Sequence, residues 1–426
     1  MKRVNTINPI SIADEDREAV RSDVGNKLIH SKDQTTTAIQ KHKITKKDSL
    51  LANQDIKRWY DNLARSSLVT AEVRLRKLGK FCENNKITPM ELIDLGVKNQ
   101  RTIADLLEDN ITTMEKNENA PQYIKTIVTA VKSWLQHFDI EIKRNIRIAN
   151  PDATPTLANE RIPDATELAE LFDRASLRTG AIMSLIGKAG LRPEVLGNFD
   201  ASDGLMIKDL PELEIVHGIA RFAKIPAKIT VRGTLSKAGH NYFTFITESG
   251  TKKIVAYLNQ RMLDGEILDP EKAVIAPFSK YPRFRGKNEG RKFLSTARIE
   301  ENVRETMRPR FKWRPYVLRA FFDTQLLIAE SRGKIAHDFR VFFMGHKGSI
   351  EAKYTTNKSI LTTELVNEMW EAFKRSQELL DLEQKMQQDE EISRQRVVMP
   401  AETEQFLANG WKYLGTLPNG KVVIEK

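Results

Sequence analysis

A histidine and a tyrosine that could do chemistry lie close together late in the 426-residue sequence. His346 follows Gly345 at a predicted helix boundary, and Tyr354 comes eight residues later, after a basic run. A tyrosine hydroxyl has a pKa of about 10 and is a poor nucleophile by itself. It becomes effective when cations surround its target and another group accepts its proton. Covalent chemistry at this tyrosine therefore requires cations from elsewhere in the chain.

Two arginines upstream occur in sequence surroundings that suit anion binding. Arg192 follows a glycine turn and begins a helix, whereas Arg319 lies within an otherwise apolar helical pattern. Because burying an unpaired charge is costly, Arg319 needs an anion or a solvent-filled cleft. Each arginine taken alone is also explained by a structural ion pair. Lys237 occurs at a predicted hairpin tip, and this turn position distinguishes it from Lys224 and Lys228.

The order of these residues is more specific than any one of them. The chain has an arginine, a lysine in a β-turn, a Tyr-x-x-Arg box, a Gly-His pair and then a tyrosine. This order resembles the tyrosine recombinase (phage integrase) family of site-specific DNA recombinases, over residues 49–375. Within that family, residues 314–316, residues 343–348 and the closing Gly410-Trp411 hairpin are most similar to archaeal integrases.

The resemblance implies catalytic roles for these side chains. Arg192 and Arg319 would hold the scissile phosphate, whose oxygens suit planar guanidinium groups. Lys237 would protonate the leaving 5′-oxygen, and His346 would donate a hydrogen bond to a non-bridging oxygen. Tyr354 would attack phosphorus and form a 3′-phosphotyrosyl bond. Because that bond stores the energy for rejoining, the strand transferase would need neither ATP nor a metal ion.

Tyr316 marks one departure from the family pattern. It is included in the predicted site, but it occupies the position where the family usually has a histidine. Tyrosine is a poor base near neutral pH, so the family's usual proton acceptor is missing. The family also often carries a carboxylate three residues after the first arginine, whereas Glu194 lies two residues after Arg192. Glu194 and Asp338 therefore have no assigned role.

The charge of the chain indicates a polyanionic partner, which the resemblance implies is double-stranded DNA. The net charge is +11 and the pI about 9.4. Residues 271–320 contain 14 Lys or Arg and 5 Asp or Glu, with aromatic residues interleaved. Such a concentration of cations suits phosphate backbones. DNA contacts are expected from two basic stretches, at Arg74, Arg76, Lys77, Lys80, Arg283, Arg285, Lys287, Arg291 and Lys292.

Other kinds of site are disfavoured by composition. A single cysteine, Cys82, provides no disulfide within the chain and no thiolate zinc site. The histidines are scattered and no GxxxxGK[ST] loop occurs, so neither a metal nor a cofactor is expected. No stretch has the length of a transmembrane helix and no signal peptide is apparent. A cytoplasmic, nucleoid-associated protein without a membrane partner is therefore expected.

The helix and strand patterns around the candidate site predict a mainly helical α+β fold with a small antiparallel sheet. Strands are predicted at 227–231 and 241–246, on either side of Lys237. The resemblance implies that a helical core-binding domain and a catalytic domain form a C-shaped clamp on DNA. The predicted segments are a flexible arm (1–48), the helical DNA domain (49–148), a linker (149–163), the catalytic domain (164–375), a helical linker (376–402) and a helix–hairpin unit (403–426).

Local signals predict several element boundaries. Thr70 is a candidate N-cap, and Pro89 is placed for the first turn of a helix. The spacing of Asp164 and Glu167 matches a capping box. Asn419-Gly420 between two strand-like runs predicts a hairpin.

The resemblance implies recombination between short specific sites by a homotetramer assembled on DNA. Integration and excision of a mobile element are the expected use, and resolution of chromosome dimers would use the same residues. A type IB topoisomerase shares the arginine–lysine–tyrosine site, and a catalytically inactive, recombinase-derived DNA-binding protein would keep the fold. An apolar stripe from Leu365 to Leu380 either packs on its own domain or docks into a neighbouring subunit.

Overall fold

The computed structural model describes residues 45–153, 160–277, 292–346, 361–382 and 395–425. The chain divides into two units, Met1–Lys57 and Arg58–Lys426. In the first unit, helix α1 (Lys46–Leu51) begins at Thr45, whose side chain accepts a hydrogen bond from the Asp48 N–H. Most of the predicted arm, residues 1–44, lies outside the described residues. No helix among the described residues is both long and apolar enough to cross a membrane.

In the second unit, the helices before residue 148 have a buried tryptophan in their core. Trp134 is fully buried, its ring meets Trp59 edge-on at 5.4 Å, and its indole N–H donates to the Pro89 carbonyl at 2.9 Å. All of the regular elements between residues 54 and 136 are helices. These are α2 (Gln54–Ser66), α3 (Leu68–Asn85), α4 (Pro89–Lys98), α5 (Gln100–Lys116) and α6 (Pro121–Gln136).

The capping predictions have different outcomes. Pro89 occupies the first turn of α4 and Thr88 caps it, as predicted. The capping box of Asp164 and Glu167 is also confirmed. Thr70 is wrong as an N-cap, because α3 already begins at Leu68 and the Ser67 side chain accepts from the Thr70 N–H. Apolar residues 68 and 69 extend the helix backward to the first hydroxyl that can cap it.

The region from 160 to 382 has one main hydrophobic core, in which helices surround two short antiparallel hairpins. Helix α8, buried from Thr179 to Gly187, lies against α10 and α12. The helices are α7 (Ala165–Arg174), α8 (Leu177–Gly187), α9 (Pro193–Leu196), α10 (Glu248–Leu263), α11 (Thr296–Met307), α12 (Tyr316–Ser331), α13 (His337–Phe343) and α14 (Thr363–Leu380). The strands are β1 (Leu213–Val216), β2 (Ile219–Phe222), β3 (Ala227–Val231) and β4 (Tyr242–Ile246). The predicted α+β class is confirmed.

Strand β4 is buried on both faces. It pairs antiparallel with β3, from Val231 opposite Tyr242 to Ala227 opposite Ile246. Its phenylalanines face α13, with the rings of Phe243 and Phe342 5.0 Å apart. A strand buried on both sides can hold elements on each side at fixed positions.

Helix α14 packs on its own domain, which is the first of the two alternatives for the apolar stripe. Met369 and Phe373 are fully buried in the core, and Trp370 Nε1 donates to the Pro226 carbonyl at 2.7 Å. The helix continues through Leu380 and therefore passes the expected domain boundary at residue 375.

The C-terminal residues form a separate small sheet with its own apolar cluster. Strands β6 (Lys412–Thr416) and β7 (Val422–Glu425) flank the predicted Asn-Gly turn, after helix α15 (Pro400–Ala408). The prediction of a helical linker at 376–402 is wrong in part, because Gln395–Val398 form strand β5, which pairs with β7. Two adjacent valines in β5 suit a strand, and β7 provides its partner.

A buried ion pair fixes the end of α14. Lys188, 1% exposed, lies 3.6 Å from an Asp381 carboxylate oxygen and donates to the Leu380 carbonyl. The Asp381 carboxylate also accepts hydrogen bonds from the hydroxyls of Thr247 and Ser249, both at 2.6 Å. The helix end is therefore joined to α8 and to the start of α10.

We expect Asp381→Asn to destabilise the protein by about 3–5 kcal/mol, because it removes the carboxylate charge beside the buried ammonium of Lys188. The matched control is Glu378→Gln on the same helix, which breaks a more exposed ion pair with Lys334 and should cost less than about 1 kcal/mol. Urea unfolding followed by tryptophan fluorescence measures both. Equal costs for the two variants would contradict the importance of the buried pair.

Candidate active site

Two arginines from distant segments converge on one backbone carbonyl. Arg319 Nη2 donates to the Met344 oxygen at 2.5 Å, and Arg192 Nη1 lies 3.5 Å from the same oxygen. Arg319 is 1% exposed, and its Nη1 is buried without a hydrogen-bond partner in the described part of the chain. Within that part, neither arginine forms an ion pair with a carboxylate. Among the described residues, backbone carbonyl contacts rather than ion pairs with carboxylates hold these guanidinium groups.

The turn before Arg192 is fixed by close packing. Gly190 has φ +69°, and a Cβ at this position would lie 2.4 Å from Phe322 Cε1. The hydroxyl of Thr244 on β4 donates to the Ala189 carbonyl at 3.0 Å. Arg192 itself is the N-cap of α9. Glycine is required here both for its φ and for its small size.

The loop after α13 brings His346 to the arginines. The Gly345 N–H donates to the Phe342 carbonyl at 2.8 Å, which ends the helix. Gly345 has φ +58°, and a Cβ there would lie 2.6 Å from Cζ of Tyr242. The tyrosine ring therefore sets the position of the peptide on which both arginines converge.

Burial and neighbouring positive charges together shift the pKa values of the site. Burial, and then the charge of Arg192, lower the pKa of Arg319 to about 10. Partial burial lowers the pKa of His346, and both arginines lower it further. His346 is therefore neutral at pH 7 and can donate a hydrogen bond from only one ring nitrogen. An anion bound at the arginines would relieve this repulsion.

Tyr242 is a component of the site that the sequence did not single out. Its side chain is 3% exposed and its hydroxyl is buried without a partner among the described residues. Burial raises its pKa, whereas the charges of Arg319 and Arg192 act in the opposite direction. The available signal was its place as the first residue of β4, just beyond the turn that carries Lys237.

Tyr316 and Lys237 are less closely associated with the arginines. Tyr316 begins α12, one turn before Arg319, and is 62% exposed. Lys237 is exposed in the β3–β4 turn, and no described contact joins it to Arg192 or Arg319. The turn is secured at its base, where the Asn241 side chain accepts from the Gly233 N–H at 2.6 Å.

The alternatives to Lys237 both lie over aromatic rings. The ammonium of Lys224 is 4.1 Å from the ring centre of Trp370, and that of Lys228 is 4.4 Å from Phe243. Burial lowers the pKa of Lys228. Since these two are occupied by cation–π contacts, Lys237 has more freedom to reach a ligand.

The two carboxylates without an assigned role are both half-buried. Glu194 lies on α9, and its charge raises the pKa of Tyr242. It is therefore a neighbour of the site, although it lies two residues after Arg192 rather than three. Asp338 lies on α13, but the carboxylate that acts to raise the pKa values of His346 and Arg319 is Asp323.

The basic residues predicted to contact DNA are only partly free. Arg74 donates to the Ser133 hydroxyl at 2.8 Å, Lys77 lies 3.4 Å from the ring centre of Tyr123, and Arg76 is exposed. Lys80 and Lys292 form exposed ion pairs with Glu83 at 3.7 Å and Glu271 at 4.0 Å. Five predicted residues lie outside the described ones: Tyr354, Arg283, Arg285, Lys287 and Arg291.

Much of the charge excess between 292 and 320 is neutralised within the chain. Arg304 pairs with Glu300 at 2.8 Å, and Arg314 pairs with Glu160 at 2.6 Å. Concentrated positive charge in the sequence therefore overstates the free cationic surface of this segment. Arg192 and Arg319 differ from these arginines because no carboxylate in the described residues pairs with them.

The sequence matches no family model and no curated protein. Solved structures that resemble the chain include the XerA recombinase, at 18% identity over 75% of this chain and 97% of that chain, with a TM-score of 0.31. The integrase of mycobacterium phage Brujita has 18% identity, coverages of 77% and 96%, and a TM-score of 0.33. The Tn1549 transposon integrase in complex with transposon right end DNA has 12% identity, coverages of 74% and 97%, and a TM-score of 0.38. TM-scores this low do not establish a common fold.

We expect Arg192→Gln to raise the pKa of His346, because it removes a neighbouring positive charge. The pKa should stay below the ordinary value of about 6.5, since burial and Arg319 remain. NMR titration of the imidazole ring measures it, with the exposed Arg332→Gln as a control that should leave it unchanged. Because protonation of His346 favours the unfolded chain, the free energy of unfolding should also fall as pH drops below about 6.5. An unchanged pKa in Arg192→Gln would contradict the proximity of the two side chains.

Gly345→Ala should destabilise the protein by about 2–4 kcal/mol, from both backbone strain and a clash with Tyr242. Gly333→Ala is the matched control, because its φ of +68° is similar but nothing lies within 4 Å of the added Cβ. It should cost about 1 kcal/mol. Thermal unfolding distinguishes them, and similar losses would mean that the Tyr242 contact does not constrain Gly345.

Proposed function

We propose that this protein is a site-specific DNA strand transferase that cuts and rejoins DNA through a 3′-phosphotyrosyl intermediate. The observation that carries the proposal is the convergence of Arg192 and Arg319 on the Met344 carbonyl, beside His346. A lone carbonyl carries only a partial negative charge, so two guanidinium groups retain donors and charge for a phosphate. Planar donors around a non-bridging oxygen stabilise the extra charge that develops in a pentavalent transition state.

The remaining roles follow from the chemistry of the residues. Tyr354 attacks phosphorus as its hydroxyl proton passes to solvent, the 3′-side phosphate becomes bonded to its oxygen, and the 5′-oxygen leaves. Lys237, on a secured but exposed turn, gives a proton to that leaving oxygen. His346 donates a hydrogen bond to a non-bridging oxygen. The exposed Tyr316, one turn before Arg319, contributes a further hydrogen bond from the position where the family usually has histidine.

The biological use that we propose is integration and excision of a mobile element. A homotetramer on double-stranded DNA exchanges strands between two short sites, and no ATP or metal ion is consumed because the phosphotyrosyl bond keeps the energy of the broken bond. The helical part and the catalytic part contact the duplex together as a clamp, with Arg74, Arg76, Lys77 and Lys80 on its phosphates. Chromosome-dimer resolution by the same site is the second candidate.

The proposal is tested by covalent capture on DNA. Nicked duplexes with a randomised segment are incubated with the protein, and DNA that stays attached in detergent is sequenced. We expect an enriched site, no adduct with Tyr354→Phe, and at least about a 100-fold slower adduct formation with Arg319→Gln, because one charged donor is lost from the transition state.

The matched control for loss of a cation is Arg332→Gln at the exposed end of α12, which should form the adduct at the wild-type rate. Failure of the wild-type protein to attach to any duplex would favour the inactive DNA-binding protein. Relaxation of plasmids without the enriched site, by a monomer, would favour the topoisomerase.

The role of Lys237 is tested with a leaving group that needs no proton. Lys237→Ala should slow cleavage of the natural strand by about 100-fold or more, as expected for loss of a general acid. A substrate with sulfur in place of the 5′-bridging oxygen should be cleaved at the wild-type rate, because a thiol has a pKa of only about 8.5. Lys224→Ala and Lys228→Ala are the controls. If sulfur rescues Lys228→Ala instead, Lys228 is the acid.

A further inference from the structure

Two buried donors at the site, from different elements, lack a hydrogen-bond partner among the described residues. Tyr242 Oη belongs to β4 and Arg319 Nη1 to α12, and neither atom has a hydrogen-bond partner in the described part of the chain. Their side chains are 3% and 1% exposed. Leaving a buried polar group unpaired costs free energy, so native structures rarely do so without a reason. Two such donors in one site indicate that a ligand supplies the missing acceptor.

Both donors are attached to the same short loop. The ring of Tyr242 lies against Gly345, and the other nitrogen of Arg319 binds the carbonyl of Met344, the preceding residue. The charge of Arg319 also lowers the pKa of Tyr242, which requires the two groups to be close. Neither side chain can turn away, since β4 is buried along its length and Arg319 is held by Met344.

We propose that Tyr242 is a further phosphate ligand, whose hydroxyl donates a hydrogen bond to the non-bridging oxygen that Arg319 Nη1 also contacts. That the anion is a DNA phosphate rests on the proposed function. The hydroxyl acts as a donor because it keeps its proton at neutral pH. It is too deeply buried to serve as the nucleophile, and it differs from Tyr316, which is exposed.

The matched comparison is Tyr257, a second buried tyrosine of the same core. It is 6% exposed, but its hydroxyl accepts a hydrogen bond from the Ala276 N–H at 3.3 Å. Removing the Tyr257 hydroxyl breaks an existing hydrogen bond. Removing the Tyr242 hydroxyl takes away a buried polar group that has no partner among the described residues. The two Tyr→Phe variants should therefore change stability in opposite directions.

Thermal unfolding of the full chain without DNA is the first test. Tyr242→Phe should raise Tm by about 2–4 °C, and Tyr257→Phe should lower it by a similar amount. A lower Tm for Tyr242→Phe would mean that its hydroxyl already has a structural partner and would overturn the proposal.

Cleavage kinetics on the captured DNA site are the second test. Tyr242→Phe should form the covalent adduct about 10–100-fold more slowly, because a donor to the charged phosphate is lost, and Tyr257→Phe should be unaffected. A methylphosphonate replaces one non-bridging oxygen by a methyl group that accepts no hydrogen bond. With one of its two diastereomers the penalty of Tyr242→Phe should vanish, and with the other it should persist. Equal penalties on both diastereomers would show that the effect is indirect and would overturn the proposal.

A measurement without DNA separates this inference from the proposed function. Sodium tungstate, a tetrahedral oxyanion, is titrated into the wild-type protein and both variants by calorimetry. Tyr242→Phe should weaken binding about 10-fold and Tyr257→Phe should leave it unchanged. If the wild type forms no DNA adduct but shows this pattern, the proposed function fails and the anion site stands. Unchanged tungstate binding in Tyr242→Phe, or none in the wild type, overturns the inference alone.

Discussion

The sharing of the Met344 carbonyl by two guanidinium groups is the interaction on which the site depends. Like charges repel, and a single carbonyl neutralises little of that repulsion. Two arginines stay together in this arrangement only when the surrounding structure holds them. Burial, and then the neighbouring positive charges, lower the pKa values of both Arg319 and His346. The folded chain is thus less stable than it could be, and an anion bound at the two arginines would offset the cost.

Strand β4 provides the necessary rigidity. Its Thr244 binds the turn before Arg192, its Tyr242 supports the loop before His346, and its phenylalanines pack against α13. A strand of five residues therefore sets the positions of two segments that are far apart in sequence, the turn before Arg192 and α13 with the loop that follows it. Because alternate side chains point to opposite faces, neighbouring residues of one strand can hold elements on both sides.

Features with a local signal could be predicted from the sequence, and features set by tertiary contacts could not. The strand pair around Lys237, the Asp164 cap and the Asn-Gly hairpin each follow from a few adjacent residues. The association of Arg192 with Arg319 came from the order of motifs. Tyr242 was missed because its distinguishing feature is a buried hydroxyl without a hydrogen-bond partner among the described residues. Burial and hydrogen-bond partners depend on tertiary contacts, which the sequence does not show. Strand β5 was missed because its partner, β7, is adjacent in the sheet but is separated from it in sequence by α15 and β6.

The Lys188–Asp381 pair also bears on where the domain that contains the main hydrophobic core ends. A fragment cut at residue 375 would keep most of the apolar stripe yet lose both the carboxylate and the Leu380 carbonyl. The ammonium of Lys188 would then be left beside the rings of Phe172 and Phe321, each 5.6 Å away. An apolar stripe can be buried against many different apolar surfaces, whereas a buried cation requires one particular carboxylate. A fragment that keeps the counterion of Lys188 must therefore extend to residue 381.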